Sequence, residues 1–137
     1  MSIVIDASVT LAWLFADETS PAADRILDRV VANGAWVPSI WRLEVANSLH
    51  QGMRRGRLDA TRWDQSLADL RSLDIALDPE TDRHAWSDTL ALAERFNLTV
   101  YDAAYLELAL RRSVPLATLD GELRAVARKA GAEVADG

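Results

Sequence analysis

Short apolar runs alternate with helical segments along this chain, and this alternation constrains the fold more than any other feature. The apolar runs span residues 2–6, 35–37, 73–77 and 114–118, with helical periodicity in the stretches between them. Strands that are separated by helices pair in parallel, because a parallel neighbour needs a long crossover connection. The pattern therefore predicts an α/β fold, a three-layer α/β/α sandwich around a short, mainly parallel central sheet. A length of 137 residues predicts a single domain covering residues 1–137.

Turn and capping residues predict where the helices begin and end. Ser20 followed by Pro21 is typical of a helix start, and Asn33 followed by Gly34 is typical of a helix end. Ser39 is expected to cap a long helix that breaks in the glycine-containing segment 52–56. The other predicted helices span residues 8–16, 61–72, 80–96, 101–112 and 120–130, and a last strand is expected at 132–134.

The composition excludes several classes of protein. Cysteine is absent, which rules out disulfides, thiolate metal sites and cysteine nucleophiles. No apolar run approaches the ~18 residues of a membrane span, and the N-terminus lacks the basic and apolar regions of a signal peptide. We therefore expect a cytoplasmic protein. The net charge of −6 argues against a protein that coats nucleic acid through phosphate contacts alone.

Four acidic residues stand where a predicted strand ends or a predicted helix begins: Asp6, Glu44, Asp102 and Asp120. In an open parallel sheet, ligands bind in the crevice outside the carboxyl ends of the strands. Acids placed at such junctions are therefore expected to converge there, although they are spread over the whole chain. Carboxylate oxygens are the ligands that hard cations such as Mg²⁺ and Mn²⁺ prefer.

Each of these acids also has an ordinary structural explanation. Asp120 can be a helix cap, and Asp102 can be a first-turn acid that complements the helix dipole. Glu44 shares a polar stripe with Asn47, which is typical of a solvated helix face. Asp6 is the hardest to explain in this way, because an acid that ends an Ile-Val-Ile run is costly to bury without a partner. Taken together, the four acids favour a common site.

Four segments of the chain resemble the motifs of one known family. In chain order they are Val-Ile-Asp6-Ala-Ser8, Leu-Glu44-Val-Ala-Asn47, Tyr-Asp102-Ala-Ala-Tyr-Leu and Thr118-Leu-Asp120. They resemble the PIN domain, and specifically the toxin ribonucleases (VapC) of bacterial toxin–antitoxin pairs. The resemblance covers essentially the whole chain and implies a PIN-like fold.

The resemblance also implies which residues carry the chemistry. The catalytic and metal-binding set would be Asp6, Glu44, Asp102 and Asp120. We expect Asp6 and Asp102 to be the most direct ligands of a Mg²⁺ ion, with Mn²⁺ also possible. Glu44 and Asp120 would hold ligand waters or a second ion, and one of them would orient the attacking water.

Three polar residues match positions that support the acids in this family: Ser8, Asn47 and Thr118. They are expected to hydrogen-bond near the acids and to orient them. One departure is visible, because many relatives have an aromatic residue three positions after the last acid, where this chain has Leu123. We interpret it as a difference in packing.

The activity and partners that the resemblance implies form one consistent expectation. The chain would be a metal-dependent endoribonuclease that cleaves single-stranded or loop RNA, and a small cognate antitoxin would inhibit it in the cytoplasm. A homodimer is also implied. We expect the C-terminal segment of the antitoxin to lie across helices near Trp13 and Trp41 and to place a basic side chain near the acids.

Other functions remain as alternatives. A phosphoacceptor receiver domain would have paired acids after the first strand and a lysine after a late strand, whereas here Asp6 stands alone and Lys129 lies within a predicted helix. A haloacid-dehalogenase-like phosphatase would have a second aspartate where this chain has Ser8. A catalytically inactive PIN-like scaffold that binds RNA or protein stays open. Glu107 is left outside the site, because its offset from Asp102 turns it to another helix face.

Overall fold

Four short parallel strands form the centre of the fold in residues 2–135, which are the residues that this computed structural model describes. The strands are β1 (Ile3–Ile5), β2 (Ala35–Val37), β3 (Ile75–Leu77) and β4 (Leu116–Ala117). Their order in the sheet is β3-β2-β1-β4, and every pair of neighbours is parallel. Helices flank this sheet, which confirms the predicted α/β fold.

Helical segments connect the strands. Their bounds are α1 (Ala7–Leu14), α2 (Pro21–Asn33), α3 (Trp41–Arg54), α4 (Ala60–Ser72), α5 (Thr81–His84), α6 (Leu90–Phe96), α7 (Val100–Arg112) and α8 (Gly121–Lys129). A π-helical turn at Ala85–Thr89 joins α5 to α6, so the helix expected at 80–96 is one run with a widened middle turn. Within residues 2–135, no helix is long and apolar enough to cross a membrane.

The sheet is buried on both of its faces. Ile3, Val4 and Ile5 of β1 are all fully buried, and successive side chains of a strand point to opposite faces. Helices must therefore cover both faces, as in other parallel sheets. Helix α7 packs against β1 and β4, and residues 103–109 of this helix are buried without a break.

The predicted N-cap is confirmed for α2 and is wrong for α3. The Ser20 side chain accepts a hydrogen bond from the Ala23 amide at 3.1 Å at the start of α2, and Gly34 ends that helix with a φ of 76°. Ser39 does not cap α3, which begins at Trp41 without a side-chain cap. The Ser39 amide instead donates to the Thr81 hydroxyl at 3.1 Å, a tertiary contact that the local sequence does not reveal.

The last predicted strand is only a single bridge between Leu116 and Val134. The Leu116 amide donates to the Glu133 carbonyl at 2.8 Å, and the Ala135 amide donates to the Leu116 carbonyl at 2.9 Å. These two bonds cover the outer edge of β4. The strand expected at 132–134 is therefore present only as this one parallel bridge.

A buried ion-pair network ties the end of β3 to the last turn of α7. Asp78 follows β3, and its fully buried carboxylate accepts hydrogen bonds from Arg111 at 2.6 Å and from Arg112 at 3.1 Å. Arg111 also donates to Glu107 at 2.7 Å, and Arg112 lies 3.6 Å from the centre of the Trp36 ring. The network gives Glu107 a structural role, which agrees with leaving it outside the site.

Candidate active site

Asp6 lies at the carboxyl end of β1 and begins α1 as its N-cap. Its Oδ1 accepts a hydrogen bond from the Val9 amide at 3.1 Å and another from the Ser8 hydroxyl at 2.6 Å. Its Oδ2 accepts one from the Thr118 hydroxyl, which comes from the end of the neighbouring strand β4. Three donors from two strand ends therefore hold this buried carboxylate in a single orientation.

Thr118 connects Asp6 to Asp120. While its hydroxyl donates to Asp6, the same oxygen accepts the Asp120 amide at 3.1 Å. The Asp120 carboxylate in turn caps α8, where its Oδ1 accepts from the Glu122 amide at 3.0 Å. The expectation of a helix cap at Asp120 is therefore correct. The Thr118 hydroxyl, which bonds both residues, connects this cap to Asp6.

Glu44 lies in the first turn of α3, and its side chain is held from α7. The Tyr105 hydroxyl donates to Glu44 Oε1 at 2.6 Å. Asp102 lies one helical turn before Tyr105, in the first turn of α7, where the Asp102 amide donates to the capping hydroxyl of Thr99 at 3.1 Å. Helix α7 therefore carries one of the acids and positions another.

The acids perturb one another electrostatically. Burial is the main cause that raises the pKa of Asp6, and the negative charge of Asp102 adds to it. Burial likewise raises the pKa of Glu44, with contributions from the charges of Asp102 and Asp6. The pKa of Asp102 is raised by burial and then by the charges of Asp120 and Glu122. The structure thus brings the four predicted acids into one electrostatic group.

The acids do not lie as close together as we expected from the sequence. Within residues 2–135, no three of the Asp, Glu and His side chains, in the positions that they take here, form a group that could hold a metal ion. Like-charged carboxylates repel, so bringing three of them into one coordination sphere requires a compensating positive charge.

Each of the four carboxylates still has an oxygen able to accept a further bond. Among residues 2–135, Asp6 Oδ2 accepts only the bond from Thr118, and Glu44 Oε2 accepts none. Asp120 Oδ2 also accepts none from these residues. The Asp102 carboxylate has the Thr99 side chain as its hydrogen-bonding neighbour, which occupies at most one of its two oxygens. A set that offers only oxygen donors suits Mg²⁺ or Mn²⁺. The chemistry of the site therefore fits a hard divalent cation.

The three supporting residues differ in what the structure shows for them. Ser8 and Thr118 both donate to Asp6, and the Ser8 hydroxyl also accepts the Leu119 amide at 3.0 Å. Asn47 is exposed on α3 and makes no hydrogen bond to an acid within residues 2–135, so its supporting role stays a prediction. Leu123 is 1% exposed, as expected for a difference in packing.

Two residues of the site were not anticipated. Tyr105 is buried and reaches Glu44 across the fold, and the sequence signal was its position three residues after Asp102, on the same helix face. Glu122 contributes negative charge at Asp102 and lies in the first turn of α8, two residues after Asp120. The sequence signal for both residues is their position on the same helix face or in the same helical turn as a predicted acid.

The two tryptophans expected to line an interface are mainly structural. The Trp13 indole donates to the Ala23 carbonyl at 2.8 Å, and the Trp41 indole donates to the Thr10 hydroxyl at 3.0 Å. Trp41 is only 6% exposed, and its place at an interface with a partner stays a prediction. The exposed edge of Trp41 does border an apolar groove of about 420 Å³ between α3 and α4, with Arg42 at its rim.

Comparisons with known proteins agree with this fold. The PIN domain family matches residues 3–129. A protein named Ribonuclease VapC3 from Pyrobaculum aerophilum is 34% identical over 123 residues, which are 90% of this chain and 92% of that protein. Proteins of the same name from two strains of Mycobacterium tuberculosis are 30% identical over 123 residues, covering 88% of this chain and 84% of theirs.

A solved structure supports the fold alone. The crystal structure of PAE2754 from Pyrobaculum aerophilum superposes with a TM-score of 0.63 at 23% identity, covering 92% of this chain and 84% of that one. Because a PIN-domain match spans nearly the whole chain and relatives named VapC3 align over most of both lengths, this chain belongs to the PIN-domain family, among its VapC members.

Proposed function

We propose that this chain is a metal-dependent endoribonuclease and the toxin of a type II toxin–antitoxin pair, with residues 1–137 acting as one nuclease domain. The observation that carries the proposal is the linkage of the four acids by hydrogen bonds. Thr118 bonds both Asp6 and Asp120, and Tyr105, on the helix that carries Asp102, bonds Glu44. Separate structural caps would not need to be linked in this way. The relatives named as ribonucleases support RNA as the substrate.

The acids would hold Mg²⁺, or Mn²⁺, through the oxygens that they keep unbonded. Asp6 and Asp102 are the proposed direct ligands, because three donors hold Asp6 rigidly and the charge of Asp102 acts on it. When bound, the cation supplies charge stabilisation for the phosphoryl oxygens and a water that ionises more easily.

The other residues of the site would act around that cation. Glu44 and Asp120 would accept hydrogen bonds from ligand waters and orient the water that attacks phosphorus. Ser8 and Thr118 would keep the Asp6 carboxylate in its orientation, as their hydrogen bonds to it do in the structure. Each of these roles uses an oxygen or a hydroxyl that lies at the carboxyl edge of the sheet.

The test is cleavage of a labelled single-stranded RNA by the purified full chain with Mg²⁺, with Mn²⁺ and with a chelator. We expect internal cleavage with either ion and none with the chelator. Asp6→Asn and Asp102→Asn should abolish cleavage. The matched control is Asp24→Asn, which removes an exposed first-turn acid of another helix, α2, and should leave cleavage unchanged.

Two outcomes would contradict the proposal in different ways. Cleavage that persists in chelator, or in both acid variants, would exclude a metal-dependent reaction at these residues. Binding of Mn²⁺ and RNA by the wild-type protein without cleavage of any RNA would favour the alternative, an inactive PIN-like scaffold.

We further propose that a small antitoxin protein inhibits the nuclease by occupying the groove between α3 and α4. The floor of this groove is apolar and includes Leu67 and Leu70, while Arg42 and Arg71 border it. An amphipathic segment with carboxylates beside its apolar residues would complement this surface. A basic side chain of the same partner would pair with the acids and compete with the cation.

The groove can be tested with any small protein that a short reading frame beside the gene encodes. Titration of that protein should abolish RNA cleavage, and Arg71→Glu should weaken the inhibition while leaving cleavage by the free nuclease unchanged. Inhibition that is equally strong against wild type and Arg71→Glu would exclude this groove.

We also propose a cytoplasmic homodimer, on the resemblance to the family alone. Sedimentation velocity over a hundredfold range of concentration would measure its association, and a monomer throughout that range would contradict the dimer.

A further inference from the structure

The Tyr105 hydroxyl is the only polar group of a side chain that is otherwise buried in the core. Tyr105 is 1% exposed, and its hydroxyl donates to Glu44 Oε1 at 2.6 Å. A buried phenol keeps its hydroxyl hydrogen-bonded, because an unpaired polar group in the core is costly. The core therefore presents one fixed donor at the edge of the acidic site, and Glu44 is its partner.

Glu44 needs such a donor to stay at the site. Its side chain is only partly buried, and it has several rotatable bonds. Burial, and after it the negative charges of Asp102 and Asp6, raise the pKa of Glu44. Repulsion from those two carboxylates and the freedom of an unrestrained glutamate both favour a Glu44 that turns outward to water.

The geometry of α7 makes Tyr105 suited to oppose this tendency. Tyr105 lies three residues after Asp102, so both side chains lie on the same side of the helix, one turn apart. Glu44 belongs to α3 and is 61 residues away in sequence. One rigid helix thus sets the distance between a candidate metal ligand and the hydroxyl that holds the second acid.

We propose that Tyr105 is a positioning residue that keeps Glu44 at the acidic site before any cation is bound. Its hydroxyl occupies Oε1 and leaves Oε2 as the oxygen for the cation or for a ligand water. Because Glu44 is already in place, binding of the cation does not have to restrain a mobile side chain as well. This proposal rests on the proposed function and adds a residue to the same site.

The test compares Tyr105→Phe with Tyr101→Phe in the full, metal-free protein. Phenylalanine keeps the packing of Tyr105 and removes only its hydroxyl. Tyr101 lies on the same helix, is 57% exposed, and makes no hydrogen bond through its hydroxyl within residues 2–135. We expect Tyr105→Phe to weaken Mn²⁺ binding about tenfold or more, measured by electron paramagnetic resonance, and Tyr101→Phe to leave it unchanged.

A double-mutant cycle separates positioning from a general effect on folding. In a Glu44→Ala background, Tyr105→Phe should cause no further loss of Mn²⁺ affinity, since there is no carboxylate left to hold. An equal loss in both backgrounds would overturn the proposal, and so would unchanged Mn²⁺ affinity in Tyr105→Phe itself. If the wild-type protein binds no Mn²⁺, the proposed function fails and the positioning role falls with it.

Discussion

At the scale of single residues, Asp120 shows that a helix cap and a site acid can be the same side chain. Its Oδ1 caps α8 by accepting the amides of Glu122 and Leu123 at 3.0 and 3.4 Å. Its charge nevertheless acts on Asp102, and its Oδ2 accepts no hydrogen bond within residues 2–135. A role as a helix cap and a role in the acidic site therefore do not exclude each other for Asp120.

Two substitutions of Asp120 separate these roles. Asp120→Asn keeps a capping oxygen, so we expect unchanged stability but weaker RNA cleavage. Asp120→Ala removes the cap as well and should cost about 1 kcal/mol of unfolding free energy. Urea denaturation and a cleavage assay measure the two effects. Full cleavage by both variants would show that Asp120 is a cap and nothing more.

The repulsion among the acids predicts an unusual effect on stability. Burial and neighbouring charges raise the pKa of Asp102, so its ionised form is unfavourable in the folded protein. We expect Asp102→Asn to be as stable as the wild type or more stable in thermal melts with chelator, although it abolishes cleavage. The same is expected of Asp6→Asn, because asparagine also caps helices well. A clear loss of stability in both variants would mean that these acids are structural.

At the scale of elements, α7 organises both the site and the core. It carries Asp102 in its first turn, Tyr105 in its middle and Arg111 in its last turn. The network around Asp78 anchors the far end of this helix, and that anchor limits how α7 can rotate or slide. The geometry at the acids therefore depends on an ion pair at the opposite end of the helix.

The Asp78 network should dominate the stability of this element. Asp78→Ala would remove the buried partner of Arg112 and leave Arg111 with Glu107 and Glu80 alone. We expect a loss of about 3 kcal/mol in unfolding free energy. Glu80→Ala is the control, since Glu80 is a half-exposed partner of Arg111 at 3.7 Å and should cost at most about 1 kcal/mol. Urea denaturation of both variants at neutral pH measures the difference, and equal losses would contradict the prediction.

The stability from Asp78 also has a defined dependence on pH. Burial alone would raise its pKa, but the hydrogen bonds from Arg111 and Arg112 outweigh burial and lower the pKa to about 2, from an ordinary value of 3.8. The contribution of a group with a lowered pKa is present above its ordinary value and is lost as the pH falls through its folded value. This contribution should therefore disappear between about pH 4 and pH 2.

At the scale of the whole molecule, the acidic site has the opposite dependence on pH. The pKa values of Asp6, Glu44 and Asp102 are raised from ordinary values of 3.8, 4.5 and 3.8. Their contribution to stability is fully present below those ordinary values and is lost as the pH rises through the raised values. A net charge of −6 adds further repulsion at neutral pH.

A divalent cation should reverse this loss. We expect Mg²⁺ or Mn²⁺ to raise the melting temperature, and to raise it more at pH 8 than at pH 5, because the cation binds deprotonated carboxylates. At a hundredfold excess over the dissociation constant, the stabilisation is about 2.7 kcal/mol. Scanning calorimetry of wild type and Asp102→Asn measures it. If the cation raised the melting temperature of Asp102→Asn as much as that of the wild type, the cation would bind at a site that does not include Asp102.

The sequence by itself determined the fold and the placement of Asp6 and Asp120 at strand ends and helix starts. Strand ends and helix starts are local features, encoded by apolar runs, by Ser20 before Pro21 and by Gly34 after a helix. A parallel sheet then aligns the carboxyl ends of its strands, so the positions of Asp6 and Asp120 followed from the pattern alone.

Only the tertiary structure decided how the side chains are held. The bond between Tyr105 and Glu44 joins residues 61 positions apart, and Arg111 reaches Asp78 over 33 positions. No local pattern specifies such pairs, because they depend on how two helices or a helix and a strand end are placed in space. For the same reason, only the folded arrangement decides how close the acids lie, and within residues 2–135 no three of them form a group that could hold a metal ion.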